Sequence, residues 1–500
     1  MIEFQNVDFA YTTVSAEGET IHKNGISGFD LTIRDGEFVV MTGGSGCGKT
    51  TVTRLINGLI PHYYSGELSG HITIDGKSIP DTPVYETAKH VGSVFQNPRS
   101  QFFNVSTTDE IAFAAENQCR EPVEISRAIS ETAASMHIEK LLDRSIFELS
   151  GGEKQIIACA SVSVLSPDII VLDEPSSNLD SSAIEKLKTI LYDWKSQGKT
   201  IIIAEHRLYF LRELADRMLL LDNGRIVKEL PADEIKALTF ADTERMCTRP
   251  LSLSDISYSL ERAPELKETL TLENFVFTYK DGKHGINIPK LELPTDSIIA
   301  IIGHNGAGKS TLARNICGLE KKCKGVMKLG GKTLKAKERL KNCYMIMQDV
   351  NHQLFTESVR DEVLLSITDK SLTDEQKIQK ADEILKQLDL AEYADSHPMA
   401  LSGGQKQRTA IASGIASSKP IIIFDEPTSG LDLAHMKQVA DEILKLRDMG
   451  KTVFIVTHDL EFILSCCDHI VRLEKGQVVE NYELNKDTGI RLRQFFANES

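Results

Sequence analysis

Two stretches of the chain carry glycines and a lysine at a spacing suited to phosphate chemistry. They are Gly43-Gly-Ser-Gly-Cys-Gly-Lys49-Thr50 and Gly303-His-Asn-Gly-Ala-Gly-Lys309-Ser310. Both fit GxxxxGK[ST], and each follows an apolar β-branched run and leads into a helix-like stretch. Glycine lets the backbone curl until successive N–H groups face one anion, and the helix behind adds the positive end of its dipole. Lys49 and Lys309 then meet the outer phosphates, while the Thr50 and Ser310 hydroxyls can enter the shell of a Mg²⁺ ion. The candidate contacts are Gly43, Gly44, Ser45, Gly46, Cys47, Gly48, Lys49, Thr50 and Thr51 in the first loop. In the second they are Gly303, His304, Asn305, Gly306, Ala307, Gly308, Lys309, Ser310 and Thr311. A glycine-rich turn that merely caps a helix is the bland alternative, and the second copy argues against it. Cys47 invites a further expectation: a thiol reagent should block the first loop, and bound nucleotide should protect it.

Ile169-Ile-Val-Leu-Asp173-Glu174 and Ile421-Ile-Ile-Phe-Asp425-Glu426 each place two acids at the end of a run that reads as a buried strand. One acid can support a metal, and the next can orient or deprotonate a water. Leu149-Ser150-Gly151-Gly152-Glu153 and Leu401-Ser402-Gly403-Gly404-Gln405 are capping boxes, and a capped N-terminus with two glycines also leaves backbone donors open to a phosphate. The serine precedes the aspartate by 23 residues in both copies, and a histidine, His206 or His458, follows it by 33.

These coincidences reflect a duplication of the whole pattern. Gln96 and Gln348, Ser150 and Ser402, Asp173 and Asp425, and His206 and His458 are each 252 residues apart, whereas Lys49 and Lys309 are 260 apart. The sequence between the halves is polar and irregular, so the expected organisation is a domain over 1–240, a linker over 241–267 and a domain over 268–500. Within each half, short runs such as Phe38-Val-Val-Met, Thr200-Ile-Ile-Ile and Ile298-Ile-Ala-Ile-Ile are apolar at every position. Strands apolar on both faces imply an α/β fold with a parallel sheet covered by helices.

The 500 residues suit two to four domains, each able to bury a full core. Lys plus Arg is 57 against Asp plus Glu 72, a net charge of −15, which opposes broad attraction to nucleic acid and leaves room only for local basic patches. The nine cysteines form no CxxC pair, which suits a reducing cytosol. Neither a signal peptide nor a run near the ~18 apolar residues needed to span a bilayer is apparent. Any work at a membrane is therefore expected to need another, spanning subunit.

Phosphate loop, glutamine, LSGG, acid pair and histidine, in that order and twice over, resemble the ABC ATPase family. The resemblance implies tandem P-loop domains, each with a mainly parallel sheet core, an antiparallel β subdomain and a helical subdomain carrying LSGG. It also implies two ATP molecules, each with Mg²⁺, held head to tail, one pairing Lys49 with Ser402 and the other Lys309 with Ser150. Matching positions make Glu174 and Glu426 the catalytic acids and His206 and His458 the γ-phosphate contacts. Asp173 and Asp425, with Gln96 and Gln348, would serve the metal. Tyr11 and Tyr279 would stack on adenine, a core or edge-strand tyrosine being the alternative, and Asp180 and Asp432 would lie in the loop that crosses between the sites. Phe95-Gln-Asn-Pro-Arg-Ser-Gln-Phe-Phe-Asn with Thr108-Asp-Glu, and Met347-Gln-Asp-Val-Asn-His-Gln-Leu-Phe-Thr with Arg360-Asp-Glu, are similar to ATPase subunits of energy-coupling-factor importers. That resemblance implies a peripheral place on the cytoplasmic face of the cell membrane, with a transmembrane coupling protein and a substrate-binding membrane protein as partners and no nucleic acid. Phe102, Phe103, Leu354 and Phe355 would line a groove for a partner helix, and Asp109, Glu110, Asp361 and Glu362 would grip its basic residues. The rival readings are a sugar-type importer and a soluble tandem ATPase acting on ribosomes or DNA.

Overall fold

Phe38 and Val40 point into one apolar cluster and Val39 and Met41 into another, so the strand Phe38–Gly43 is buried on both faces. This alternation is what a period-two strand with helices on both sides requires. A computed structural model describes residues 1–14, 20–177, 179–256, 258, 268–279, 282 and 285–498. The chain folds as two units, Met1–Asp255 with Gly430–Ala434, and Ile256–Ser429 with His435–Asn498.

In the first unit a six-stranded sheet runs Arg225–Pro231, Arg217–Asp222, Phe38–Gly43, Thr200–Ala204, Ile169–Asp173, Val91–Val94. All neighbours are parallel except the terminal hairpin. A separate antiparallel sheet orders Thr20–Ile33, Ile2–Val14, Gly66–Ile74 and Lys77–Ser78. Helices Thr107–Asn117, Pro122–Ser135 and Gly151–Ser163 pack together as a third layer. The acids sit at the carboxyl end of a central strand beside the phosphate loop, where doubly wound sheets bind ligands.

The second unit repeats this plan. Its six-stranded sheet is Cys343–Ile346, Ile421–Asp425, Thr452–Val456, Ile298–Ile302, His469–Glu474, Gln477–Glu483, parallel except for the last hairpin. The antiparallel sheet joins Gly285–Pro294, Thr269–Thr278, Lys324–Leu329 and Lys332–Leu334, and the helical layer contains Val359–Ser366, Asp374–Gln387 and Gly403–Ala416. The fold class expected from the sequence is the one observed.

Part of the segment expected as linker is ordered. Phe240–Arg245 forms a helix whose start is closed by a capping box between Thr239 and Asp242, and the first unit continues to Asp255. Residues 257 and 259–267 of that segment lie outside the described residues. Among the described residues no helix is long and apolar enough to cross a membrane.

Candidate nucleotide and catalytic sites

The first phosphate loop owes its shape to glycines that nothing else could replace. Gly43 has φ 144° and its missing Cβ would fall 2.1 Å from Leu221 O, and Gly48 has φ 107° with Gly25 O at 2.8 Å from its Cβ position. The second loop repeats the first constraint, Gly303 at φ 142° lying against Leu473 O. The chain therefore reaches Lys49 and Lys309 in a tight curl and starts a helix there, with Gly48 and Gly308 as left-handed N-caps. Both lysines are buried and fold back on the loop. Lys49 Nζ donates to Gly43 O (2.9 Å) and Gly44 O (3.1 Å), and Lys309 Nζ to Gly303 O (2.7 Å) and His304 O (3.0 Å). Ser45, Gly46 and Cys47, like Asn305, Gly306 and Ala307, form the turn between the glycines.

Cys47 does not match the expectation of a reactive thiol. Its side chain is only 5% exposed, its Sγ lies 3.7 Å from Lys49 Nζ, and burial raises its pKa despite the nearby lysine. A thiol kept protonated and covered is a poor nucleophile, so it packs the loop from beneath rather than facing a reagent.

Beside each loop a hydroxyl meets a carboxylate. Thr50 Oγ1 donates to Asp173 Oδ1 at 3.2 Å, and Ser310 Oγ to Asp425 Oδ1 at 3.0 Å. Burial, reinforced by Glu174, lifts Asp173 to about 6, and burial raises Asp425 also. A hydroxyl and a carboxylate are hard oxygen donors, the set Mg²⁺ favours, so the residues fit that ion.

Glu174 and Glu426 share an unusual backbone. Their φ angles are 44° and 51°, in the left-handed region that a glutamate rarely adopts. Each amide is fixed by the neighbouring strand, Glu174 N–H donating to Ala204 O and Glu426 N–H to Val456 O, both at 2.8 Å. The twist turns the side chain out of the sheet's end. Gln96 Nε2 donates to Glu174 Oε2 at 2.7 Å, and the other oxygen, Oε1, lies 3.3 Å from His206 Nε2. His206 is buried and its Nε2 makes no hydrogen bond among the described residues, an orphaned polar atom that an anionic oxygen would satisfy. In the second unit His458 Nε2 lies 3.5 Å from Glu426 Oε1, and the exposed Gln348 follows the strand Cys343–Ile346.

The capping boxes form in full. Ser150 Oγ accepts from Glu153 N while the Glu153 carboxylate accepts from Ser150 N, and Ser402 and Gln405 do the same. Gly152 is forced, since a Cβ there would meet Ala183 Cβ at 2.7 Å, whereas Gly403 has open space around it. Gly151 and Gly404 complete the two helix starts, and Asp180 caps the helix Ser181–Ser196 through Ala183 N.

Tyr11 stands on its antiparallel sheet and Tyr279 just past the end of the strand Thr269–Thr278, each with its hydroxyl 3.2 Å from the threonine after the phosphate loop, Thr51 or Thr311. Two arginines that sequence reasoning missed hold these hydroxyls: Arg54 Nη1 at 3.1 Å from Tyr11 and Arg314 Nη2 at 2.8 Å from Tyr279. Arg54 also stacks on Tyr64, 3.9 Å from its ring centre. The available signal was position, since both arginines stand five residues after the loop lysine.

The proposed partner groove is corrected at four residues. Leu354 is core, and Phe102 packs partly buried against core, so only Phe103 and Phe355 point outward, each 75% exposed. Glu110 and Glu362 are buried and cannot grip a partner. The Glu110 carboxylate accepts from the amides of Phe103 (2.9 Å) and Asn104 (2.8 Å), and that of Glu362 from those of Phe355 (3.1 Å) and Thr356 (3.2 Å). Each glutamate thus fixes the loop that presents the aromatic, while Asp109 and Asp361 remain exposed. Replacing either glutamate by alanine orphans two amides and is expected to cost about 2 kcal/mol in its own unit. Denaturant unfolding of Glu110→Ala and Glu362→Ala checks this, and an unshifted transition would contradict it.

A family profile described as ABC transporter matches residues 26–177 and 286–429. A protein of Treponema denticola, provisionally named an ABC transporter ATP-binding protein, is 42% identical over 486 residues, 96% of this chain and 96% of its own. A likewise named protein of Methanosarcina mazei is 30% identical over 527 residues, covering 96% of this chain and 88% of its own. Among solved structures, an archaeal ribosome recycling factor in complex with a ribosomal stalk protein aligns over 98% of this chain and 92% of that one, with a TM-score of 0.60 and 20% identity. At that identity the likeness speaks to the fold alone.

Proposed function

Because the chain belongs to the ABC transporter family and carries two fused ATPase domains, we propose that it powers a membrane importer of the energy-coupling-factor type. The observation that carries this reading is the pair of equivalent loops after Gln96 and Gln348. Each lifts one phenylalanine, Phe103 or Phe355, into solvent on a backbone pinned by a buried glutamate. An exposed aromatic on a fixed loop suits a helix-in-groove contact, and two copies suit a transmembrane coupling protein with two cytoplasmic helices. A substrate-binding membrane protein would complete the machine, with the chain peripheral on the cytoplasmic face.

The chemistry follows from the site residues. The phosphate-loop amides and Lys49 or Lys309 bind the ATP phosphates, and Tyr11 or Tyr279, held by its arginine, supports the adenine. Thr50, Asp173 and Gln96, or Ser310, Asp425 and Gln348, would hold Mg²⁺, which when bound neutralises charge on the outer phosphates. Glu174 orients a water with one oxygen while Gln96 holds the other, and it takes the proton as the water attacks the γ-phosphorus and the bond to the bridging oxygen breaks, releasing ADP and phosphate. His206 Nε2 donates to a γ-phosphate oxygen, and Glu426 and His458 act likewise. The amides at the Ser150 and Ser402 helix starts, beside their glycine pairs, suit a nucleotide phosphate.

Membrane recovery tests the proposal. Phe103→Glu together with Phe355→Glu should lower the fraction of chain recovered with membranes of its host at least about tenfold, since two charges would enter a desolvated contact. Thermal unfolding should stay unchanged. Undiminished recovery would contradict the reading.

A further inference from the structure

The two histidines are held by different chemistry. In the first unit the sequence around the histidine is Glu205-His206-Arg207, and 252 residues later it is Thr457-His458-Asp459. Glu205 is almost fully buried, and its carboxylate accepts three backbone N–H groups: His206 at 2.8 Å, Arg207 at 3.1 Å and Ser176 at 3.2 Å. Two of these lie in the turn that carries His206, and the third lies two residues past Glu174. Arg207 adds a second tie, its Nη1 donating to Leu179 O at 3.1 Å and Ser176 O at 3.5 Å.

In the second unit the equivalent of Glu205 is Thr457, which cannot reach across. The carboxylate comes instead from two positions later. Asp459 Oδ2 accepts from Thr428 Oγ1 at 3.1 Å, and Thr428 is the equivalent of Ser176. Asp459 Oδ1 accepts from Phe462 N, and Thr457 Oγ1 from Asp459 N at 3.1 Å, so the aspartate is oriented within its own turn. Both units therefore join the histidine turn to the segment after the catalytic glutamate through one buried carboxylate, supplied from opposite sides of the histidine.

We infer that Glu205 and Arg207 act together as positioning residues for the Glu174–His206 pair, performing in the first unit the task that Asp459 performs in the second. Neither touches the reacting atoms. Their effect is to fix the distance between the Glu174 carboxylate and His206 Nε2, which decides whether water and γ-phosphate oxygen are held at once. The inference rests on the assignment of Glu174 and His206 to the chemistry.

The full chain, with steady-state ATP hydrolysis as readout, supplies the test. In a Glu426→Gln background, where the remaining turnover is that of the first site, Glu205→Thr should lower kcat about five- to tenfold with KM for ATP within about twofold, because the nucleotide contacts are untouched. Glu205→Gln, which keeps an acceptor but no charge, should fall between that variant and the wild type. Glu205→Thr combined with Arg207→Asp recreates the triplet of the second unit and should recover more than half of the lost rate, a coupling that simple loss of stability does not produce. A Glu205→Thr variant with wild-type kcat, or a double variant no faster than the single, would overturn the inference. Glu174→Gln run alongside separates the two levels: if it leaves turnover intact, the site assignment fails and the inference with it. If it abolishes first-site hydrolysis while Glu205→Thr does not slow it, only the inference fails.

Discussion

Glu174→Gln and Glu426→Gln should each remove at least half of the ATP turnover, and the double variant should lower kcat by about 10²–10³ while still binding ATP. Glutamine matches glutamate in shape, so the left-handed backbone at φ 44° and 51° and the amide bonds to Ala204 and Val456 persist. What disappears is the carboxylate that, in the proposed mechanism, takes a proton from water. Both units keep the glutamate, the nearby histidine and the hydroxyl–carboxylate pair, and neither shows a decayed position. Two competent sites are the expected outcome, measured as steady-state kcat and as phosphate released in a single turnover. A single variant that keeps the wild-type rate would show that its site does not turn over.

Lys49→Ala and Lys309→Ala should weaken ATP binding at their own loops by about 10²-fold, read by fluorescent-nucleotide titration with the second loop intact as internal reference. Each ammonium is buried at the loop's centre and bonded to two carbonyls, so it already stands where the phosphates will lie. Trading those carbonyls for phosphate oxygens creates charge-assisted bonds in a site with little water. Arginine should not rescue, because its planar fork does not fit a pocket closed around one compact ammonium. Unchanged affinity in either variant would place the nucleotide elsewhere.

Local pattern made the chemistry legible in the sequence, because glycine spacing, strand-end acids and capping boxes are dictated by backbone geometry that short motifs encode. The duplication then turned weak motifs into strong ones. Burial was not legible. Glu110 and Glu362 read as acids that grip a partner helix, yet each reaches back to amides six and seven residues earlier, a contact set by the fold of the preceding loop. Cys47 was expected to react with a thiol reagent because it lies within a phosphate loop, but that turn buries its side chain. Nothing in the local pattern marked Arg54 and Arg314, since their tyrosine partners lie 43 and 35 residues away in the chain. The helix Phe240–Arg245 is too short to show an apolar period, so its region read as linker.

A role in a membrane importer is tested most directly by purifying the chain from gently solubilised membranes of its host and identifying by mass spectrometry what it holds. A small multi-span coupling protein together with a substrate-binding membrane protein is the expected recovery, both lost when Phe103 and Phe355 are replaced by glutamate. Ribosomal or DNA-repair partners in their place, with no membrane protein, would contradict it.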